Sequence, residues 1–469
     1  MAEVTPYFAT WPWQHWATKR PSSAALRFGE QIFSWAEISA RVDEYAQGLV
    51  EQGVKRDQLI GVVAPNSLQV LWLILATIRV GARYVGLNPR CSQPELDKQL
   101  QQLQCDYLWF PAKIPHSLDA YPRLQLLPPS QPRLVPVTWQ PTRAATLTLT
   151  SGSTGMPKAV VHSAQTQLAS AAGLLERMDF GEQDRWLLSL PLFHISGLAI
   201  VWRWLYRGAQ LVVAEPGQFE KALAGVTHAS LVPTQLQRLL ASQTEEKQSL
   251  MLKEVLLGGA LIPVSLTRQA EEAGIHCWCG YGMTEMGSTV TAKRADASAG
   301  VGSILPNREL TLRDGEILVR GKTLCIGYYR NKTIFPVGED EWFATKDLGS
   351  WQGEELYIQG RADNMFISGG ENIQPEMIEK ALLGHSAVKQ AFVLPVEDSE
   401  FGQRPVAIVD TNQVLDIRLR ESLQAYMTEQ VNGLCRPVDY LVLPDSLGNT
   451  GIKVSRRELA TWLQSGMSS

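Results

Sequence analysis

The sequence lacks the features that would place the chain in a membrane or in an oxidising compartment. Its longest apolar run, residues 70–76, is far shorter than the roughly 20 residues that cross a bilayer. Six cysteines among 469 residues form no C-x-x-C pair, which is typical of reduced thiols rather than of disulfides or metal sites. The N-terminal stretch has no basic segment followed by an apolar core, so it does not resemble a signal peptide. We therefore expect a cytoplasmic protein without membrane insertion.

The chain also lacks an excess of charge of either sign. Its formal net charge is −4, from 43 basic and 47 acidic side chains, which gives no electrostatic reason to expect nucleic acid as a partner. A hydrophobic content of 45% with 19% charged residues is typical of globular domains. Because 469 residues exceed what one hydrophobic core usually organises, we expect two or three domains.

Hydrophobic patterning predicts an α/β fold. Helical periodicity covers residues 35–53 and 67–80, and short buried strands are expected at 59–63 and 84–87. Further strands are predicted at 144–149, 186–190, 210–214, 229–232 and 255–257. This alternation favours a largely parallel sheet with packed helices.

The pattern changes after about residue 300. Short antiparallel strands are predicted at 309–313, 316–320 and 356–358, followed by helices at 375–383 and 417–431 with strands at 388–395 and 404–410. The last part therefore resembles a small α+β unit. We predict a large domain over residues 1–361 and a small one over 362–469.

One loop stands out chemically. Residues 150–158 read T-S-G-S-T-G-M-P-K, and they combine hydroxyls, glycines and a lysine directly after a predicted strand. Glycines let backbone N–H groups approach an anion closely, so the loop suits a phosphate. It is not a Walker A loop, because two residues separate its second glycine from the lysine. Taken alone, the loop is also compatible with a flexible surface turn.

Three further clusters follow predicted strands. They are P-L-F-H-I-S-G at residues 191–197, L-G-G-A at 257–260 and G-Y-G-M-T-E at 280–285. The last offers an aromatic face, a hydroxyl and a carboxylate suited to a hard cation. Each cluster alone is equally compatible with a turn at a strand end.

Taken together, the motifs resemble the adenylate-forming superfamily of acyl- and aryl-CoA synthetases, luciferases and peptide-synthetase adenylation domains. The motifs, in order, are T-S-G-S-T-G-M-P-K, P-L-F-H-I-S-G, G-Y-G-M-T-E, A-T-K-D-L-G and G-R-A-D-N-M-F-I-S-G-G-E-N-I-Q-P. The resemblance covers nearly the whole chain. It implies a large N-terminal domain of parallel and mixed sheets and a small, mobile C-terminal domain. It also implies that an acid reacts with ATP to form an acyl-adenylate, whose acyl group is then transferred to coenzyme A with release of AMP.

The resemblance assigns roles residue by residue. ATP would be bound by Thr150, Ser151, Gly152, Ser153, Thr154, Gly155, Lys158, Gly258, Gly259, Ala260, Tyr281, Gly282, Thr284, Asp347 and Arg361. Mg²⁺ would be held by Glu285, the domain hinge would lie at Asp363, and CoA would pass Gly369 and Gly370. The catalytic residues would be Lys453, His194, Thr284 and Glu285. Lys453 departs from the family's G-K-x-x-R pattern, because Ile452 separates it from Gly451.

Arg203 indicates which acid is used. It lies between Trp202 and Trp204 in an apolar helix directly after P-L-F-H-I-S-G. The resemblance places this helix beside the acyl pocket, where Arg203, Ser196 and His194 would contact the substrate. An arginine there suits an aromatic acid with a second carboxylate. The residue pattern alone is also compatible with an arginine whose head reaches solvent.

Three other readings stay open at this point. The chain could be an aryl- or acyl-CoA ligase for a different acid, or a stand-alone adenylation enzyme that loads a carrier protein. It could also be a nucleotide-binding regulator without turnover, although Lys453, Glu285 and Asp347 disfavour that reading. The sequence leaves the oligomeric state, including a homo-oligomer, undetermined.

Overall fold

The computed structural model describes residues 8–131, 135–150, 157–246, 251–259, 262–338, 341–448 and 454–467. Helices in these ranges are α1 Pro12–Lys19, α2 Trp35–Glu51, α3 Leu68–Arg79, α4 Gln93–Leu103, α5 Ala164–Leu175, α6 Ile195–Arg207, α7 Phe219–Ala224, α8 Pro233–Glu246, α9 Val264–Glu272, α10 Pro375–Leu382, α11 Ile417–Gln430, α12 Asp445–Gly448 and α13 Arg456–Met467. Short 3₁₀ turns cover Thr284–Met286 and Gly433–Cys435.

The strands alternate with these helices over the first half of the chain and then become nearly continuous. They are β1 Ala24–Phe28, β2 Gln31–Ser34, β3 Leu59–Val63, β4 Arg83–Leu87, β5 Tyr107–Trp109, β6 Ala144–Thr150, β7 Lys158–Ser163, β8 Arg185–Leu187, β9 Gln210–Val213, β10 His228–Leu231, β11 Glu254–Leu257, β12 His276–Met283, β13 Ser288–Arg294, β14 Ser303–Ile304, β15 Glu309–Arg313, β16 Glu316–Arg320, β17 Gly327–Arg330, β18 Thr333–Pro336, β19 Phe343–Gln352, β20 Glu355–Arg361, β21 Phe366–Ser368, β22 Glu371–Ile373, β23 Val388–Asp398, β24 Gly402–Thr411 and β25 Tyr440–Val442.

Two large mixed sheets organise the first part of the chain. One has the strand order β14-β13-β12-β11-β10-β8-β9-β1-β2, and the other has the order β18-β17-β7-β6-β4-β3-β5. Their central strands pair in parallel, whereas β6–β7, β7–β17 and β12–β13 pair in antiparallel fashion. The α/β class predicted from the sequence is confirmed, and the sheets are mixed because hairpins extend the parallel strands.

The smaller part has its own hydrophobic core. Strands β23, β24 and β25 form a three-stranded sheet, and helices α10 and α11 contribute buried side chains to the same cluster. Strands β19 and β20 pair in antiparallel fashion within a four-stranded sheet that also contains β15 and β16. The predicted small α+β unit at the C-terminal end is therefore confirmed.

The chain divides into two compact units. The first takes in the described residues up to Gly258 together with Val264–Leu310 and Val319–Phe343. The second includes Thr311–Leu318 and the described residues from Ala344 onward. The domain boundary between residues 361 and 362, with its hinge at Asp363, stays a prediction.

Most predicted elements agree with the structure to within a few residues. The strand expected at 59–63 has those bounds, and the helix expected at 67–80 covers Leu68–Arg79, with the Ser67 hydroxyl accepting from the Val70 N–H at its N-cap. Helix α2 begins with a capping box between Ser34 and Glu37. Among the described residues, no helix is long and apolar enough to cross a membrane.

A tight turn leads into helix α6. Gly197 lies in the first turn of this helix, and its N–H donates to the His194 carbonyl at 3.1 Å. A Cβ at Gly197 would lie 2.1 Å from the carbonyl oxygen of Pro191, a backbone atom that cannot move aside easily. The absence of a side chain at this position therefore lets the turn and the helix pack together.

We expect Gly197→Ala to destabilise the protein by about 2 kcal/mol, because overpacking forces the backbone apart. The lowered midpoint in urea unfolding would measure the loss. Gly181→Ala is the matched control, since a Cβ there meets only Asp184 Oδ2 at an ordinary contact distance of 3.6 Å. Equal midpoints for the two variants would contradict the steric argument.

Candidate active site

The phosphate loop joins two antiparallel strands. Strand β6 ends at Thr150 and strand β7 begins at Lys158, and these two residues are paired in the sheet register. The Thr150 hydroxyl donates to the Lys158 carbonyl at 3.4 Å. The predicted phosphate ligands Ser151, Gly152, Ser153, Thr154 and Gly155 lie outside the described residues. The pairing of the two strands therefore fixes the positions of Thr150 and Lys158, where the loop begins and ends.

Tyr328 connects the lysine of this loop to the predicted metal ligand. Strand β17 pairs with β7, so that Tyr328 lies opposite Val160. The Lys158 Nζ lies 5.4 Å from the centre of the Tyr328 ring, and the Tyr328 hydroxyl donates to Glu285 Oε1 at 3.1 Å. Burial and the negative charge of Glu285 raise the pKa of Tyr328 well above its usual value. The hydroxyl therefore keeps its proton and orients the carboxylate.

Thr284 and Glu285 lie in a 3₁₀ turn that is held on both sides. The His162 Nε2–H donates to the Thr284 carbonyl at 2.8 Å, and burial lowers the pKa of His162 to about 4. The Cys325 N–H donates to the Glu285 carbonyl at 2.7 Å. Because the imidazole is neutral at ordinary pH, it acts as a fixed donor that holds the turn in place.

The half-buried Glu285 is chemically suited to Mg²⁺, because carboxylate oxygens are hard ligands. Within the described ranges, no group of three His, Cys, Asp or Glu side chains could form a protein-only metal cage. One carboxylate combined with nucleotide phosphate oxygens is the usual way in which proteins hold Mg²⁺. The residues present therefore fit a magnesium ion that arrives with a nucleotide.

The predicted adenine pocket begins where strand β11 ends. Gly258 is half-buried and has open space at its Cβ position, and Gly259 adopts a left-handed φ of 82°. Tyr281 is buried on strand β12, and a Cβ at Gly282 would lie 2.2 Å from a carbonyl oxygen of the paired strand. Ala260 lies outside the described residues. Gly258 thus leaves open space at the strand end where the base is expected, whereas Gly282 lets the paired strand approach closely.

Arg203 is buried in helix α6, with 2% of its surface exposed. Its Nη1 donates to Ser230 Oγ and its Nη2 to Ser288 Oγ, each at 3.4 Å. The guanidinium lies 5.3 Å from the centre of the Trp186 ring. The alternative in which this side chain reaches solvent is therefore wrong.

The charge of Arg203 has no carboxylate partner among the described residues. Burial lowers the pKa of Arg203 to about 9, so the side chain is still a cation at neutral pH. Burying an unpaired charge is costly, and proteins normally compensate such a charge with an ion of opposite sign. The predicted partners Ser196 and His194 lie half-buried at the start of the same helix. A carboxylate from a bound acid would supply the missing compensation.

In the second unit, Arg361 connects two predicted site residues. The pairing of β19 with β20 places Asp347 opposite Arg361. The guanidinium donates to Asp347 Oδ1 at 2.8 Å, and it donates to both carboxylate oxygens of Asp363 at 2.9 and 3.1 Å. The predicted ribose ligand and the predicted hinge residue thus share one cation.

The turn between β21 and β22 contains Gly369 and Gly370, with φ values of 55° and 85°. A Cβ at Gly369 would lie 3.1 Å from Phe401 Cδ1. Phe401 also lines a surface groove, which is bordered by Glu371, Arg404, Asn432, Gly433 and Leu434. The structure therefore brings Gly369 beside a groove with an aromatic wall and a cation.

Lys453 lies outside the described residues. The next described segment is anchored by Arg456, which donates to Glu379 Oε1 at 2.5 Å and to the Val393 carbonyl at 2.8 Å. Arg456 also lies 3.4 Å from Glu376 Oε1. The chain three residues after Lys453 is therefore fastened to helix α10 and strand β23.

Several residues with contacts to the site carried no sequence signal that pointed to them. They are His162, Ser230, Ser288, Tyr328 and Arg308. Each is distant in sequence from a group that it contacts, and a single sequence does not show which segments meet. Two tyrosines are adjacent at residues 328–329, and the sequence pattern alone does not show which one contacts the site. In the structure the second, Tyr329, packs in a hydrophobic core cluster.

Comparison with known families agrees with this geometry. Residues 13–329 match the AMP-binding enzyme family, and residues 377–452 match the C-terminal domain of AMP-binding enzymes. The chain therefore belongs to the AMP-binding enzymes, and the resemblance to the adenylate-forming superfamily is confirmed.

Two similar proteins are 2-succinylbenzoate–CoA ligases. The one from Escherichia coli K12 is 46% identical over 97% of this chain and 99% of its own length. The one from Haemophilus influenzae is 43% identical over 97% of this chain and 98% of its own length.

Solved structures that resemble this chain include two of MenE. An Arg-to-Lys variant of E. coli MenE with bound OSB-AMS has a TM-score of 0.89, with 44% identity over 97% of this chain and 99% of that chain. The o-succinylbenzoate coenzyme A synthetase (MenE) from Bacillus subtilis, in complex with ATP and a magnesium ion, has a TM-score of 0.79. That structure is 27% identical and covers 92% of this chain and 96% of its own.

We expect Tyr328→Phe to raise the Mg²⁺ concentration needed for half-maximal ATP binding about tenfold, because a hydrogen bond to a carboxylate is worth about 1.5 kcal/mol. Calorimetric ATP titrations at several Mg²⁺ concentrations would measure this shift. Tyr329→Phe is the matched control, since that ring faces the core cluster. An unchanged Mg²⁺ requirement in Tyr328→Phe would show that its hydroxyl does not position Glu285.

Proposed function

We propose that this protein is a 2-succinylbenzoate–CoA ligase of menaquinone biosynthesis. It activates the succinyl carboxylate with ATP, forms an acyl-adenylate and transfers the acyl group to CoA, with AMP and pyrophosphate as products. The observation that carries the choice of acid is the buried Arg203, which has no carboxylate partner among the described residues. The high identity to 2-succinylbenzoate–CoA ligases over nearly the full chain supports the same activity.

The substrate has the chemistry that this pocket requires. It carries an aromatic ring, a succinyl carboxylate that reacts and a benzoate carboxylate that does not. The benzoate carboxylate would accept hydrogen bonds from Arg203, which Ser230 and Ser288 already hold in place. The indole of Trp186 beside the guanidinium adds an aromatic surface. Recognition of the distal carboxylate would then place the succinyl end toward the nucleotide.

The first half-reaction brings two anions together, so most of the catalysis is charge neutralisation and positioning. We assign the β- and γ-phosphates to residues 150–158, and the ribose to Asp347 with Arg361. A magnesium ion held by Glu285 would neutralise the charge on the pyrophosphate leaving group. Lys453 would neutralise charge on the oxygens that transfer. Thr284 would contact the α-phosphate from a turn that His162 holds.

The second half-reaction needs a path for the CoA thiol. The groove next to Gly369 has an aromatic wall, Phe401, and a cation, Arg404, both of which suit a nucleotide-bearing thiol. His194, at the start of helix α6, would gate the passage between acid and thiol. Thiolate attack on the acyl carbon would form the thioester and release AMP. The two half-reactions would be separated by rotation of the small domain at Asp363.

A ligase for a different aryl acid would share the nucleotide residues and differ at Arg203. A stand-alone adenylation enzyme would load a carrier protein rather than free CoA.

Pyrophosphate release with a panel of acids, measured with and without CoA, separates these cases. The matched pair within the panel is 2-succinylbenzoate and 4-oxo-4-phenylbutanoate, which differ only in the ring carboxylate. We expect a strong preference for 2-succinylbenzoate and formation of its CoA thioester, and activity on carrier protein alone would reject the proposal.

We expect Arg203→Met to raise the KM for 2-succinylbenzoate about 100-fold, because a charge-assisted bidentate contact is worth about 3 kcal/mol. The KM for ATP and the KM for 4-oxo-4-phenylbutanoate should change little. Arg207→Met is the control on the same helix, since its guanidinium donates to the Leu175 carbonyl instead. Equal losses for both acids would reject recognition of the second carboxylate.

We expect Lys453→Ala to lower adenylate formation by about 100-fold, because one preorganised charge at a transition state is worth about 2.7–4 kcal/mol. Thioester formation from supplied acyl-adenylate should persist, since that step does not need the lysine. Pyrophosphate release and thioester formation are measured separately, with the exposed Lys389→Ala as the control. If both half-reactions were lost, Lys453 would not be specific to the first.

A further inference from the structure

Arg308 is a second buried guanidinium in the first unit. It precedes strand β15 and has 3% of its surface exposed. Its Nη1 donates to the Thr289 carbonyl, and its Nη2 donates to the Ser170 carbonyl at 3.2 Å. Its Nε is buried and has no hydrogen-bond partner among the described residues. Neutral carbonyls therefore hold this cation, and the described part of the chain provides no carboxylate for it.

The charge of Arg203 acts on Arg308. Burial, and after it the positive charge of Arg203, lower the pKa of Arg308 to about 9. Two like charges in one core repel each other, and each one has also lost its solvation. Neither cation has a carboxylate partner among the described residues. The electrostatic potential around the two guanidiniums is therefore positive. An anion that binds there would gain from both charges.

A short segment physically connects the two arginines. Ser288 accepts from Arg203 Nη2, and the carbonyl of the next residue, Thr289, accepts from Arg308. Ser288 has a φ of 115°, a left-handed value that is strained for a residue other than glycine. Such a conformation persists only when neighbouring contacts hold it. Arg308 supplies one of these contacts.

Helix α5 holds the same segment from its other end. The Ser170 hydroxyl donates to the Gly287 carbonyl at 2.8 Å, while the Ser170 carbonyl accepts from Arg308. A Cβ at Gly173 would lie 3.1 Å from Arg308 Nη2, so the glycine lets the helix approach the guanidinium closely. Arg308 thus joins helix α5 to strand β13. The first residue of that strand, Ser288, carries the hydroxyl that contacts Arg203.

We propose that Arg308 is a positioning residue for recognition of the acid's second carboxylate. It holds the strained Ser288 hydroxyl against Arg203, and it adds a second positive charge behind the first. This inference rests on the proposed function and extends it, because it assigns the selection of a dicarboxylate to two arginines rather than to one. A purely structural Arg308 would support the fold equally for every acid.

The test compares the two acids that differ only in the ring carboxylate. Binding of 2-succinylbenzoate and of 4-oxo-4-phenylbutanoate is measured by calorimetry in the presence of a non-hydrolysable ATP analogue. We expect Arg308→Met to raise the Kd for 2-succinylbenzoate about tenfold, the size of a hydrogen bond to a charged group, and to leave the Kd for the monocarboxylate nearly unchanged. Arg308→Lys should have a smaller effect, about threefold, because it keeps the charge and loses one of the two carbonyl contacts.

The proposal would be overturned if Arg308→Lys weakened the binding of both acids equally, or weakened the binding of neither. That variant keeps the test decisive if Arg308→Met does not fold. The kinetic readout is the ratio of kcat/KM for the two acids, which a general loss of stability would leave unchanged. Wild-type protein that does not prefer 2-succinylbenzoate would reject the proposed function itself. Wild-type preference that is retained at its full size in both Arg308 variants would reject only the role of Arg308.

Discussion

The acid pocket that we propose depends on one buried positive charge. Arg203 lies inside the first unit, held by two serine hydroxyls and an indole ring, and the described residues provide no carboxylate for it. A protein core normally excludes such a charge or pairs it, because lost hydration costs several kcal/mol per ion. A bound anion would therefore stabilise this arrangement. In the function that we propose, substrate selection follows from this imbalance, since an acid without a second carboxylate would leave the guanidinium uncompensated.

The rest of the site is built by pairing strands that are far apart in the sequence. The antiparallel pairing of β6, β7 and β17 brings Lys158, Tyr328 and Glu285 into one set of contacts. The neutral His162 fixes the turn that carries Thr284. Little covalent chemistry is required of these side chains, because the reaction needs oriented charges and a path for the leaving group. Rigid strands provide that orientation better than loops would.

The local elements were predictable because their causes are local. Buried strands such as β3 appear as short apolar runs, and helices such as α3 show helical periodicity after a capping serine. Motif residues were also predicted, because their types and order resemble those of the family. Tyr328 and Arg308 could not be found in this way, because their importance comes from contacts with Glu285 and Thr289. No pattern in one sequence states which distant residues will meet.

The sequence by itself determined the α/β class, the small C-terminal unit, the order of the motifs and the position of Arg203 between two tryptophans. These follow from periodicity, composition and residue type, which are properties of neighbours along the chain. Only the tertiary structure decided whether the Arg203 head group reached solvent or lay inside. That choice depends on the side chains that surround helix α6, among them Trp186 and Ser230, which belong to other elements. The burial that leaves Arg203 without a carboxylate partner among the described residues is a property of packing, and packing is set by contacts between distant segments.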